Sequence, residues 1–132
     1  MFARLLPLLL LPMLMIMIAG TASALAQPVA NCHAIDGDTI VCLRETIRIE
    51  NIDAAEMPPH AKCAYEADLA IKAKLCVGDC LARGRVELVR DQKRPRDRYG
   101  CTLELVKVDG VDLGEALMAA GLARAWDGKR RP

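Results

Sequence analysis

Ile35-Asp36-Gly37-Asp38-Thr39-Ile40, then Ile47-Arg48-Ile49, then Ile52-Asp53-Ala54-Ala55-Glu56 is the stretch on which the reading of this chain turns. Asp-Gly between two β-prone runs signals a hairpin. In the next run Ile47 and Ile49 share one face and Arg48 takes the other, the alternation of a half-buried strand. Asp53 and Glu56 close that run at a strand end. Two strand-end loops carrying carboxylates, joined by a strand bearing an arginine, are expected to converge at one end of a small barrel. Carboxylates bind hard cations and activate water, and arginine holds phosphate. The inventory is that of metal-assisted phosphodiester cleavage. Either block by itself reads more readily as a turn or a solvated loop end without chemistry.

Outward from this stretch, strands are expected over residues 29–35, 39–43, 46–52, 85–90 and 102–108. The last of these alternates Leu103 and Leu105 against Glu104, and Asp109-Gly110 turns it. Residues 61–77 take helical periodicity, with Tyr65, Leu69, Lys72 and Cys76 along one side and Gly78-Asp79 as the interruption. Asp112 suits the N-cap of a second helix running to Ala120, with Gly121 as its C′ residue. The fold class expected is α+β, mainly β. Five short strands with two intercalated helices suit a closed barrel of the oligonucleotide-binding (OB-fold) type, although element order alone fits other α+β folds.

The chain has 132 residues and a formal net charge of +1. Residues 1–26 read as a signal peptide: Arg4, an apolar run from Leu5 to Ile18, and the cleavage pattern Ala24-Leu25-Ala26. The apolar run is too short for a membrane span and no basic stop-transfer block follows it. The expectation is an exported protein, periplasmic or extracellular, without stable membrane association, and monomeric. Residues 27–126 form one domain, and residues 127–132 a basic tail expected to be disordered. Arg4 is the only charged residue before Gln27, so the remainder is neutral overall. Its basic residues cluster at Arg90, Lys93, Arg94, Arg96 and Arg98, and again at Lys129, Arg130 and Arg131.

All six cysteines lie beyond the signal peptide. Export permits disulfides, and at least one is expected, with the pairing left open. Cys42, flanked by apolar residues in a strand, is the thiol expected to stay unpaired. Zinc is disfavoured, because no paired Cys-x-x-Cys motifs occur and His33 and His60 are not spaced as partners.

Taken in order, Ile35-Asp36-Gly37-Asp38-Thr39-Ile40, Ile47-Arg48-Ile49 with Ile52-Asp53-Ala54-Ala55-Glu56, Asp97-Arg98-Tyr99-Gly100, and the run from Leu113 to Arg124 resemble the staphylococcal nuclease (thermonuclease) family. The match runs from about Ile35 to Arg124. The resemblance implies a five-stranded OB-type barrel and Ca²⁺-dependent hydrolysis of DNA or RNA. By matching position it implies Asp38, Asp53 and the carbonyl of Ala54 as Ca²⁺ ligands, with Asp36 behind them. Glu56 would orient or deprotonate the attacking water, Arg48 would clamp the scissile phosphate, and Arg98 and Tyr99 would contact the nucleotide.

Two positions depart from that pattern. Ala55 stands where the family usually has Pro, which relaxes a loop. Cys101 stands where the family's second active-site arginine follows Tyr-Gly, and a thiol has neither positive charge nor a fork of donors. Arg96 and Arg98 are the nearby candidates to replace it, and in an extended segment Arg98 points away from position 101. Three functions are therefore weighed: a nuclease impaired at Cys101, a nucleic-acid- or nucleotide-binding module without turnover, and a disulfide-stapled interaction domain. The joint presence of Asp38, Arg48, Asp53 and Glu56 argues against the third. Trp126 is expected to close the barrel end by packing, not to stack on bases.

Overall fold

The computed structural model describes residues 27–29, 31–90 and 96–128. Residues 1–26, read above as a signal peptide, lie outside the described residues, as do Lys93, Arg94 and the basic run Lys129 to Arg131. Among those described, no helix is long and apolar enough to cross a membrane.

In chain order the elements are β1 (Gln27–Val29), β2 (Cys32–Ala34), β3 (Thr39–Cys42), β4 (Glu45–Ile49), β5 (Ile52–Ala54), α1 (Ala64–Arg83), β6 (Val86–Arg90), β7 (Thr102–Val108), β8 (Val111–Asp112), α2 (Leu113–Ala119) and β9 (Ala123–Ala125). The main sheet runs β1-β6-β7-β4-β3-β2, with β8 added to β7. Its two edge strands, β1 and β2, are separated by only residues 30 and 31. One chain segment therefore supplies both edges, and the sheet is curled like a half-barrel, as an OB-like fold requires. The five strands expected from the sequence correspond to β1 with β2, β3, β4, β6 and β7. Ile40, Ile47, Ile49, Ile52, Val77, Val106 and Leu117 fill the interior, each at most 1% exposed.

α1 departs from the expectation in extent and in face. It runs through Gly78 to Arg83, and its buried stripe is Ala70, Ala73, Val77 and Leu81, not Tyr65, Leu69 and Cys76. A mid-helix glycine costs about 1 kcal/mol. Burial of Val77 and Leu81 on either side outweighs that, and Asp79 and Arg83 pair one turn apart. Small alanines, not the larger residues one position earlier, face the sheet because the helix packs close. α2 is as expected: Asp112 accepts a hydrogen bond from Glu115 N at 3.0 Å. Its C-terminus closes with Leu122 N to Leu117 O and Gly121 N to Met118 O, a Schellman arrangement with Gly121 at φ +70°.

Two further expectations are corrected. Cys42 is disulfide-bonded to Cys32, its direct partner across the β2–β3 ladder. Burial did not isolate it, because a hairpin turning at residues 36–38 places 32 opposite 42. The expectation of at least one disulfide holds, and Cys63, Cys76, Cys80 and Cys101 are free thiols. The alternation that set Leu103 and Leu105 against Glu104 does not separate a buried from an open face: Glu104 is 3% exposed and Leu105 only half-buried. Arg90 donates to Glu104 through Nε at 3.0 Å and Nη2 at 2.9 Å, and also reaches Glu45 at 3.1 Å. Thr102 Oγ1 donates to Glu45 at 2.6 Å. A buried carboxylate is tolerable there because the guanidinium compensates it.

Candidate active site

The hairpin turn before β3 is held from within and from behind. Asp36 Oδ1 accepts the backbone N–H of Asp38 at 3.1 Å, a local turn. Gly37 lies against α1 and β5: a β-carbon on it would stand 2.6 Å from Ala73 Cβ and 2.8 Å from Ala54 Cβ. The glycine read from sequence as a turn residue is required by close approach. The turn is thereby pressed onto the helix, with Asp38 aimed at β4 and β5.

Register places Thr39 opposite Arg48, so Asp38 and Arg48 meet at the end of the β3–β4 ladder. Arg48 Nη2 donates to Asp38 Oδ2 at 3.3 Å and lies 3.8 Å from Asp53 Oδ1. The backbone N–H of Ala54 also donates to Asp38 Oδ2, at 3.1 Å, tying the two loops together. Thr39 Oγ1 donates to Asp38 Oδ1 at 3.0 Å. Both carboxylates are buried, Asp38 at 7% and Asp53 at 5% exposure. Burial pushes the Asp38 carboxyl above the ordinary carboxylate range, against the opposing pull of Arg48 and the Ala54 N–H, and Asp36 pushes it further up.

Arg48 stacks over the ring of Trp126, 5.6 Å from its centroid, so Trp126 packs as expected but does so on a site residue. Arg48 Nε is buried without a hydrogen-bond partner among the described residues. Asp36, Asp38, Arg48, Asp53 and Ala54 are thus brought together. Glu56 lies in the exposed segment just past β5.

The turn at Asp97 is ordered by its own side chain: Asp97 Oδ1 accepts the N–H groups of Tyr99 at 2.8 Å and Cys101 at 2.9 Å. Cys101 leads into β7, whose Thr102 pairs with Ile47 of β4. Its thiol is held above the usual range by burial and then by Asp97; Arg48 pulls it down and Asp36 pushes it up. Cys101 therefore sits within electrostatic reach of the cluster. Arg98 engages Tyr99 instead, 4.7 Å above its ring and donating to its hydroxyl at 2.6 Å. Arg96 Nη1 donates to Gly100 O at 2.8 Å. Both candidate replacements for the arginine missing at position 101 are occupied within their own turn.

Arg124 is the residue that the sequence reading missed. β9 pairs antiparallel with β5, setting Asp53 opposite Arg124. Arg124 donates to Asp53 Oδ2 through Nε at 3.1 Å and reaches it through Nη2 at 3.0 Å. A third strand pair after Gly121 was the signal available: Ala123-Arg124-Ala125 alternates, but is too short to read as a strand unaided.

Among the described residues, no group of three or more His, Cys, Asp or Glu side chains is placed to hold a metal ion. What does converge is a pair of buried carboxylates on one cationic nitrogen, with Arg48 Nε still lacking an acceptor. An all-oxygen pair of this kind suits a hard cation completed by backbone carbonyl and water, and the orphaned donor suits an anionic ligand.

No protein-family model matches the chain. Over 98 residues, 70% of its length, it is 35% identical to endonuclease YncB of Bacillus subtilis (strain 168). It is likewise 35% identical over 98 residues to the SPbeta prophage-derived endonuclease YokF of the same organism. The matched region is 44% of the first relative and 32% of the second, so the chain spans less than half of either. Both names agree with the resemblance drawn from the motifs.

Proposed function

We propose that this chain is an exported nuclease that hydrolyses phosphodiester bonds of DNA or RNA with Ca²⁺, working slowly because Cys101 stands where a second arginine would act. The observation that carries the reading is Arg48, set between two buried carboxylates with Nε without an acceptor among the described residues. Asp38, Asp53 and the Ala54 carbonyl would hold the cation, with Asp36 behind Asp38. Bound Ca²⁺ would supply neutralisation of charge on a phosphate oxygen. Arg48 offers that phosphate a planar pair of donors, stiffened from behind by Trp126. Glu56 takes a proton from water as the water oxygen bonds to phosphorus. The P–O ester bond breaks, and the departing oxygen takes up a proton from solvent. Phosphoryl transfer is mostly positioning and charge stabilisation, so a missing guanidinium slows it without removing the rest of the site. The Cys101 thiol, pushed up by burial and Asp97, stays neutral near pH 7 and adds no cation.

A second reading follows from the same thiol: a nucleic-acid-binding module that keeps the site but does not turn over. Single-turnover cleavage of single-stranded DNA, with Ca²⁺ against chelator, separates the two. Metal-dependent cleavage abolished by Arg48→Ala and Glu56→Gln is the expected result. Metal-independent binding without any cleavage of DNA or RNA would leave only the binding module.

A further inference from the structure

A cleft of about 460 Å³ opens beside the carboxylate pair, between β5, β9 and the first turns of α1. It begins at Asp53 and is bordered by Arg124, Lys62, Tyr65, Leu69 and Leu122. Resting on the nuclease reading above, we propose that this cleft binds the nucleotide unit adjoining the cleaved bond, with Arg124 leaving Asp53 to hold a substrate phosphate.

Three observations carry this. Arg124 directs Nε and Nη2 at the same oxygen of Asp53, and its side chain is 66% exposed. The guanidinium is therefore open to a ligand while its carboxylate partner is buried, and a phosphate offers the same fork two oxygens. Asp53 keeps a second guanidinium, Arg48 at 3.8 Å, when Arg124 swings away. Tyr65, in the first turn of α1, is 77% exposed, so packing does not account for its place. An exposed ring beside a cation is the arrangement that stacks a base and neutralises its phosphate. Leu69 and Leu122 are half-buried and give the cleft an apolar side, while Lys62 adds a second cation at the rim. Among the described residues that line the cleft, the one further acid, Glu66, is engaged by the backbone N–H of Lys62 at 2.5 Å. The volume falls in the range of small-ligand pockets.

Binding of a dye-labelled single-stranded oligothymidylate, measured by anisotropy on the full chain in chelator, tests the proposal without reliance on turnover. Tyr65→Ala is expected to weaken binding on the order of 10-fold, as loss of one base–aromatic stack does, with an unchanged melting temperature. Arg124→Ala should weaken it comparably, and Arg124→Lys should restore part of the loss. In steady-state cleavage Tyr65→Ala should raise KM and leave kcat within about twofold. Binding and KM that both stay within about twofold in Tyr65→Ala and Arg124→Ala, while Arg48→Ala abolishes cleavage, would overturn the subsite and leave the nuclease reading intact. An unsubstituted chain that neither binds nor cleaves the oligonucleotide would overturn both.

Discussion

Gly37 and Ala73 are in contact so close that the glycine has no room for a side chain: a β-carbon there would lie 2.6 Å from Ala73 Cβ. The turn that aims Asp38 is thus seated on α1, and helix position and site geometry are one structural problem. Gly37→Ala is expected to destabilise the protein by about 1–3 kcal/mol, the usual cost of overpacking, and to lower nucleotide affinity through displacement of Asp38. A urea midpoint and an affinity both equal to those of the unsubstituted chain would remove the contact from the account. A compensating Ala73→Gly in the same chain should recover part of each loss.

The Cys32–Cys42 bond closes a loop of 10 residues in sequence separation, worth about 2–3 kcal/mol on a chain-entropy estimate. Cys42→Ala should lower stability by about that amount, and reductant should lower the unsubstituted chain but not the variant. Thiol titration of the unfolded, unreduced chain is expected to find four free thiols. Six would contradict the pairing.

How far the sequence carried the reading differs by residue. The period-2 pattern around Ile47, Arg48 and Ile49 and the cap at Asp112 are local signals, and both elements formed where local physics put them. Gly78 misled because a helix-breaking preference is weak beside burial of Val77 and Leu81. Glu104 misled because its alternation says nothing about Arg90, fourteen residues away and adjacent only through the β6–β7 register. Cys42 misled because its partner depends on the length of the turn: two residues at Asp36-Gly37 would set Cys32 opposite Val41, and only the register that pairs Ala34 with Ile40 sets it opposite Cys42. In the site, Asp38, Arg48 and Asp53 were legible from residue type and spacing. Arg124 was not, because what places it is the pairing of two three-residue strands whose sequence separation is 71 between Asp53 and Arg124.

The burial of Asp38 strains the fold electrically. Its folded pKa is raised above the ordinary 3.8, chiefly by desolvation. The folded state therefore binds the proton more tightly than the unfolded chain. Stability from this group is fully present below the unfolded value and is lost as pH rises through the folded one. In chelator, the unsubstituted chain should gain on Asp38→Asn as pH falls into that window. Towards pH 7 that gain should disappear, and Asp38→Asn should lose nucleotide-dependent Ca²⁺ stabilisation. Parallel melting curves for the two chains across pH 3–7 would show that Arg48 and the Ala54 N–H fully offset the desolvation.

Cys101 allows the most direct test of the chemistry. The thiol leads into β7 within electrostatic reach of Arg48 and Asp36, while Arg96 and Arg98 are engaged in the Asp97 turn. A guanidinium introduced at 101 would therefore enter the cluster with no competitor from that turn. Cys101→Arg is expected to raise kcat by roughly 10²-fold, the usual value of one transition-state donor. KM should change far less, because on this reading Arg48 would already hold the ground state. Glu56→Gln should abolish cleavage in either background. Cys101→Ser should change little, since the thiol is free and neutral. The outcome against this account is a rate unmoved by Cys101→Arg together with collapse in Arg98→Ala. Arg98 would then have left Tyr99 on substrate binding to do the work assigned to position 101. Collapse in Arg124→Ala alone would instead place the missing cation on β9, across from Asp53.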